Sequence, residues 1–221
     1  MKQKIFIACL ATIAILNIQI SYATEPKNLA LVEKGLIQYH DSHQYEKDTA
    51  AVINQAMQYL KAIVAKNDPA QAKMALVLDI DETSLSNYQD MVTLNFGGTL
   101  ADIIQAEDKG TDPVIAPTLA LYNYAKAHHI AVFFITGRTE KSRIPTEKNL
   151  TQAGYKEWDG LTLKPDDYSN ASAAPFKIAA RKAIAEQGYK IVLNIGDQES
   201  DLKGGYADKT YKLPNPYYFI P

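Results

Sequence analysis

Apolar positions change their spacing along the chain, and the change marks where helices give way to strands. From Asn28 to about residue 66 they recur at helical intervals: Leu29, Val32, Leu36 and Ile37, then Val52, Ile53, Ala56, Met57, Leu60, Ile63 and Val64 after a polar break at His40-Asp41-Ser42-His43. That period predicts two amphipathic helices. Asn28 can cap the first, and Asn67-Asp68-Pro69 ends the second. From Lys73 onward, short unbroken apolar runs alternate with amphipathic stretches. Strands are predicted at 75–80, 130–136, 160–163, 190–195 and near 209–212, and helices at 116–128, 144–153 and 174–187, with Gly154 and Gly188 as helix ends. An apolar run with no polar alternation reads as a strand buried on both faces, as in parallel sheets. Strand–helix alternation then implies right-handed βαβ units and an α/β fold. Between 84 and 116 the pattern fails. Asn95-Phe96-Gly97-Gly98 and Lys109-Gly110-Thr111-Asp112-Pro113 are turn signals around a short helix, 99–108. This stretch is an insertion of about 85–115, placed over the end of the first strand, where it can cap a site.

Three of the apolar runs stop abruptly in residues capable of chemistry. They are Leu78-Asp79-Ile80-Asp81-Glu82-Thr83, Ile135-Thr136-Gly137-Arg138 and Ile195-Gly196-Asp197-Gln198-Glu199-Ser200-Asp201. Residues just past the ends of parallel strands gather at one edge of the sheet, where open α/β sheets bind ligands. Asp79 and Asp81 either share a divalent cation or cap a turn through backbone N–H groups. The further carboxylates at Asp197 and Asp201 favour the cation, since Mg²⁺ takes oxygen ligands from separate loops together with phosphate. Thr136 and Gly137 offer a hydroxyl and a close backbone approach for a phosphate oxygen, although Thr-Gly is also an ordinary turn. Arg138 suits a phosphate or an acid such as Glu140. Lys177 stands in the first turn of a helix, where the dipole disfavours a cation, so it points to an anionic partner or to solvent. Arg181, one turn further on, suits a salt bridge. His40, His43, His128 and His129 lack zinc-ligand spacing, and neither Gly-x-Ser-x-Gly nor a P-loop occurs.

The N-terminus carries a different pattern. Lys2 and Lys4 precede a stretch, 5–20, that is apolar apart from Thr12, Asn17 and Gln19, and Ser21-Tyr22-Ala23 offers a small-x-small site. This is the form of a cleavable signal peptide, 1–23, leaving 24–221 as one domain, periplasmic or secreted and without stable membrane insertion. Cys9, the single cysteine, lies inside it, so the mature chain has no disulfide and no thiol nucleophile. The net charge of −2 gives no electrostatic case for a nucleic-acid polymer.

Asp79-x-Asp81-x-Thr83, Thr136-Gly137-Arg138, Lys177 and Gly196-Asp197-x-x-x-Asp201 together resemble the four motifs of the haloacid dehalogenase (HAD) superfamily. Asn87 after the first motif, and Gln198, Ser200 and Leu202 within the last, resemble its secreted acid phosphatase branch, subfamily IIIB, which includes plant acid phosphatases and vegetative storage proteins. That resemblance implies a Rossmann-like parallel sheet with helices on both faces, a small cap after the first strand and an N-terminal helical extension. It implies Asp79 as nucleophile and Asp81 as general acid and base. Thr136, Gly137 and Lys177 would hold phosphoryl oxygens. Mg²⁺ would sit on Asp79, Asp81 (through its carbonyl) and Asp197, with Asp201 behind them. The substrates would be small phosphate monoesters, nucleotides among them if Tyr88, Phe96, Tyr122 or Trp158 stacks on a base instead of joining the core. The rival expectations are a storage or surface-binding protein that keeps the site as a relic, and a phosphotransferase.

Overall fold

The computed structural model describes residues 25–66 and 73–220. The expected signal segment with Cys9, and the expected stop at Asn67-Asp68-Pro69, lie outside the described residues. In chain order the elements are α1 (Leu29–Asp41), α2 (Gln44–Val64), β1 (Met74–Leu78), α3 (Tyr88–Thr93), α4 (Leu100–Glu107), α5 (Ala116–Ala127), β2 (Ala131–Thr139), α6 (Arg143–Gln152), β3 (Gly160–Lys164), α7 (Ala174–Glu186), β4 (Lys190–Gly196), α8 (Glu199–Leu202) and β5 (Thr210–Lys212). The strands form one parallel sheet in the order β3-β2-β1-β4-β5. No helix among the described residues is long and apolar enough to cross a membrane.

Both faces of the sheet are covered. On one side Leu76, Leu78, Val132, Phe134 and Ile195 pack with Ile53, Leu60 and Leu121 of α2 and α5. On the other, Ala75, Val77, Phe133 and Ile135 pack with Ala180 and Ile184 of α7. All of β1 is therefore buried, which is why its sequence shows no alternation. The N-terminal helices belong to this body. Asn28 Oδ1 accepts the Ala30 N–H at 3.1 Å to start α1, and the chain turns at His43, whose φ is 61°. α2 then buries Ile53, Ala56, Leu60 and Ile63 against α5 and the sheet, and Tyr45 among aromatic rings with Tyr88 and Tyr217.

α3, the four-residue α8 and the ends of β1 and β2 depart from the sequence expectation, β1 stopping at Leu78 instead of 80. α3 was not foreseen: six residues are too few for a helical period to register, and Tyr88 and Met91 form it by packing with Tyr45 and Tyr217. β2 runs on to Thr139 instead of ending at 136, because Thr139 rejoins β3 at Lys164 beyond a register shift. The order of strands puts β1 at the centre. Successive units lead outward from it to β2 and β3, then cross to β4 and β5, so the winding reverses between β1 and β4. A crevice opens at such a reversal, outside the carboxyl ends of the strands.

If α2 is part of the core and not an appendage, Leu60→Ala should cost about 2–5 kcal/mol of global stability. A single cooperative urea transition shifted to lower midpoint is the expected result. An unshifted main transition would mean that α2 folds separately from the sheet.

Candidate active site

β1 delivers Asp79 to the crevice. The Asp79 N–H is still in the ladder, bonded to Ile195 O at 3.0 Å, while the chain turns at once afterwards. Ile80 O gathers the N–H groups of Thr83, Ser84 and Leu85 at 2.7–3.2 Å, and the Ser84 hydroxyl donates to Asp79 O at 2.7 Å. Ile80 is fully buried in the core, which anchors the turn between the two carboxylates. Glu82 takes a left-handed φ of 50° to complete it.

β4 and the loop after it supply Asp197 and Asp201. Asp201 folds back to accept the Gln198 N–H at 2.7 Å, and its side chain lies against Gly196. A Cβ at Gly196 would stand 2.3 Å from the Asp201 Cβ, so only glycine fits there. Asp197 is held on one oxygen by the Thr83 hydroxyl (3.2 Å) and on the other by Gln198 Nε2 (2.6 Å) and Asn215 Nδ2 (2.8 Å). The cation that meets these acids is Lys177. It lies in the first turn of α7, almost fully buried, with Nζ 2.6 Å from Asp79 Oδ1 and also bonded to Asp201 Oδ1. The unfavourable helix dipole is outweighed by two carboxylates at hydrogen-bond distance. Arg181 is not salt-bridged as expected. Its guanidinium donates to the carbonyls of Asp201, Lys203 and Gly205, and so fixes the loop that carries Asp201.

Asp79, Asp197 and Asp201 each offer an oxygen within 4.8 Å of the other two. Three buried carboxylates face one ammonium, so among the described residues the cluster holds two more acids than cations. Burial, then the neighbouring Asp201, pushes the Asp79 carboxyl well above the usual range. The same two causes push Asp197 up to about 6. Burial works against the Lys177 charge, but Asp201 and Asp79 more than offset it and keep Lys177 protonated. The donor set fits a divalent cation: hard oxygen ligands, and a charge deficit of the right sign and size.

Asp81 belongs to a separate group. Its Oδ1 accepts from Arg138 Nε (3.0 Å), Arg138 Nη2 (2.6 Å) and Asn87 Nδ2 (2.8 Å). Arg138 Nη2 also reaches Asp112 Oδ2 at 2.9 Å. Of the two partners left open for Arg138, then, the structure selects acids, but Glu140 pairs with Arg143 instead. Burial opposes the Asp81 charge, yet Arg138 brings its carboxyl below the usual range. Asp112, in contrast, is pushed up to about 6 by burial against Arg138's attraction. Thr136 is fully buried and its Oγ accepts the Arg138 N–H at 3.1 Å, whereas Gly137 opens onto the cavity, with nothing within 4 Å of where a Cβ would stand.

The cavity over these groups has a volume of about 250 Å³. Asp79, Asp81, Lys177 and Asp197 lie at its charged end, and Leu100, Ile103, Ile104 and Glu107 of α4 form one wall. Tyr218, Phe219 and Ile220 form another. That C-terminal wall is tied down by the Tyr218 hydroxyl on Glu82 and by Asn215 on Asp197. Sequence reasoning missed it, together with Asp112 and Asn215. The one signal was the aromatic run Tyr217-Tyr218-Phe219 at the end of the chain, which belongs to no strand or helix. The aromatic residues singled out as base-stacking partners do not line the cavity. Tyr122 and Trp158 pack in the main core, and Tyr88 and Phe96 pack around Tyr217.

Residues 14–221 match the model of the HAD superfamily, subfamily IIIB (acid phosphatase). The chain is 38% identical over 191 residues to the stem 28 kDa glycoprotein of Glycine max, covering 83% of this chain and 72% of that one. It is 33% identical over 180 residues to acid phosphatase 1 of Solanum lycopersicum, covering 80% and 69%. Among solved structures, the class C acid phosphatase from Bacillus anthracis superposes with a TM-score of 0.70 over 86% of each chain, at 20% identity, a likeness of fold.

The raised carboxyls give the EDTA-treated protein an unusual pH dependence. A carboxyl whose folded pKa lies above its unfolded value stabilises only while protonated. Its contribution is complete below about pH 4 and is lost as pH rises through the folded pKa. Asp112 and Asp197 lose theirs by about 6, and Glu107, which burial pushes up to about 8, loses its own later. Asp81, shifted downward, has the opposite sign, but its contribution is complete above the usual carboxylate range. Calorimetry should therefore show Tm falling between pH 4 and 8 in EDTA, and a Tm that climbs across that window would contradict the assignment.

Proposed function

The chain belongs to the acid phosphatases of HAD subfamily IIIB, and from that premise we propose a magnesium-dependent hydrolysis of phosphate monoesters by two displacements at Asp79. The observation that carries the reading is the cluster at the cavity floor: Asp79 beside Lys177, with Asp197 and Asp201 completing an oxygen-rich, charge-deficient set. An Asp79 oxygen attacks phosphorus as the bond to the leaving alcohol breaks, and Asp81 gives that alcohol its proton. Asp81 then takes a proton from water, the water oxygen attacks phosphorus, and phosphate departs as the Asp79–phosphorus bond breaks. Splitting one displacement into two is what a carboxylate nucleophile achieves. Lys177 and the Gly137 N–H hold the phosphoryl oxygens, with the Thr136 hydroxyl, buried and accepting the Arg138 N–H, as the third group of that clamp, and the buried ammonium already stands where that charge would be placed.

Mg²⁺, held by Asp79, the Asp81 carbonyl and Asp197 with Asp201 beside them, would supply the positive charge that two uncompensated carboxylates and a phosphate need. The position of the Asp81 side chain, turned away toward Arg138, supports its carbonyl and not its carboxylate as the ligand. The insertion serves as the cap. Leu100, Ile103, Ile104, Phe219 and Ile220 all line the cavity, so the alcohol part of the substrate meets apolar side chains, and a nucleoside would find Phe219 instead of the aromatic residues of the core. Export with cleavage after Ala23 follows from the N-terminal pattern. The intact set of Asp79, Asp81, Lys177 and Asp197 supports turnover against a relic site.

Three measurements test the reading. Asp79→Asn should retain the fold and lose at least about 99% of 4-nitrophenyl phosphate hydrolysis, since nucleophilic and acid–base groups contribute about 10²-fold or more. EDTA should abolish wild-type activity and Mg²⁺ should restore it. Activity that survives both treatments would sink the mechanism. Asp81→Asn should slow alkyl phosphates far more than 4-nitrophenyl phosphate, whose leaving group hardly needs a proton. Equal losses would remove Asp81 from the acid role.

A further inference from the structure

We infer that Arg138 is a positioning residue that aims the Asp81 carboxylate at the leaving-group oxygen, with Asp112 of the insertion holding Arg138 in place. The inference rests on the reading of Asp81 as the general acid. Arg138 is 3% exposed, and its Nε and Nη2 donors are committed to carboxylates. The geometry on Asp81 is unequal. Oδ1 takes three donors, two from Arg138 and one from Asn87, all at 3.0 Å or less. Oδ2 has one contact, to Arg138 Nε at 3.3 Å. One oxygen is thus anchored and the other is left to exchange a proton in the cavity that Asp81 lines. A short side chain with four or more acceptor sites has no orientation of its own, and a planar guanidinium held against it supplies one.

Arg138 is oriented in its turn. Asp112 Oδ2 holds Nη2 at 2.9 Å, and Asp112 is fastened by its own backbone. Its N–H donates to Asn149 Oδ1 at 3.0 Å, and its carbonyl accepts from Asn149 Nδ2 at 2.8 Å. Asn149 is buried in α6. The chain of contacts runs from a helix of the sheet body, through the end of the insertion, to the acid. Arg138 Nη1 is buried and has no hydrogen-bond partner, so a rival reading gives Arg138 a direct hold on a substrate oxygen.

The test compares kcat/KM for glycerol phosphate and for 4-nitrophenyl phosphate on the Mg²⁺-loaded protein. A misaimed acid costs on the order of 10²-fold, and only where a proton must be delivered. Arg138→Ala should therefore lose about 10²-fold more on glycerol phosphate than on 4-nitrophenyl phosphate. Added guanidinium should restore the former preferentially. Arg138→Lys, which keeps the charge but not the fork, should remain impaired. Asp112→Asn should show the same selectivity to a smaller degree, and it carries the test alone if Arg138→Ala fails to fold by circular dichroism. In the Asp81→Asn background, Arg138→Ala should add no further selectivity, as expected of residues acting as a unit. Equal losses on both substrates for Arg138→Ala, while Asp81→Asn remains selective, would overturn the inference and leave the acid assignment standing. Loss of selectivity in Asp81→Asn itself would overturn the acid assignment.

Discussion

Three carboxylates are buried at the floor of a crevice with a single ammonium, and much of the molecule is arranged around that imbalance. Taking charges out of water costs several kcal/mol for each ion unless partners replace the lost hydration. Every local device near Asp79, Asp197 and Asp201 supplies such partners. Lys177 is placed in a helix turn that its charge would otherwise avoid. Gly196 lacks a side chain so that Asp201 can close against it. Arg181 gives its hydrogen bonds to backbone carbonyls and so holds the Asp201 loop instead of adding a second cation to the cluster. The deficit that remains is the reason the site suits a divalent ion and an anionic substrate.

Arg138, Asp81 and Asp112 form a second electrostatic unit at the same strand ends, and its logic differs. Here one guanidinium is shared between two acids, and bidentate geometry sets direction as well as charge. Lys177 is a compact charge suited to a phosphoryl group, whereas Arg138 is a planar fork suited to orienting a carboxylate. The two cations of the motifs thus divide the work. In the proposed reaction, Lys177 stands beside the nucleophile Asp79 and Arg138 beside the proton donor Asp81.

The cavity owes its shape to segments that are not part of the sheet. Residues of α4 and of the C-terminal segment line it together with the charged groups. The C-terminal segment is held by Tyr217 in a cluster of aromatic rings that reaches back to Tyr45 of α2 and Tyr88 of α3. The N-terminal helices therefore support the cavity wall from outside, through packing and not through any chemistry of their own.

The strands, most of the helices and the family were legible in the sequence because each leaves a local trace. A strand buried on both faces is an unbroken apolar run, an amphipathic helix is a repeat of period 3.6, and Asp79, Asp81, Lys177 and Asp197 sit next to such runs at recognisable intervals. The convergence of those residues followed from one rule about parallel sheets. What leaves no local trace had to wait for the tertiary structure. α3 is too short for periodicity and exists through contacts of Tyr88 and Met91. The partner of Arg138 is 26 residues away in Asp112 and 57 away in Asp81, not two away in Glu140, because pairing of charges is decided by distance in space. Arg181 turned from an expected salt bridge to backbone carbonyls for the same reason. Aromatic residues that looked able to stack on a ligand were drawn into cores, where burial of their area is worth most. The place beside the cavity went to Phe219, whose position depends on Asn215, Tyr217 and Tyr218 finding partners in three other parts of the chain.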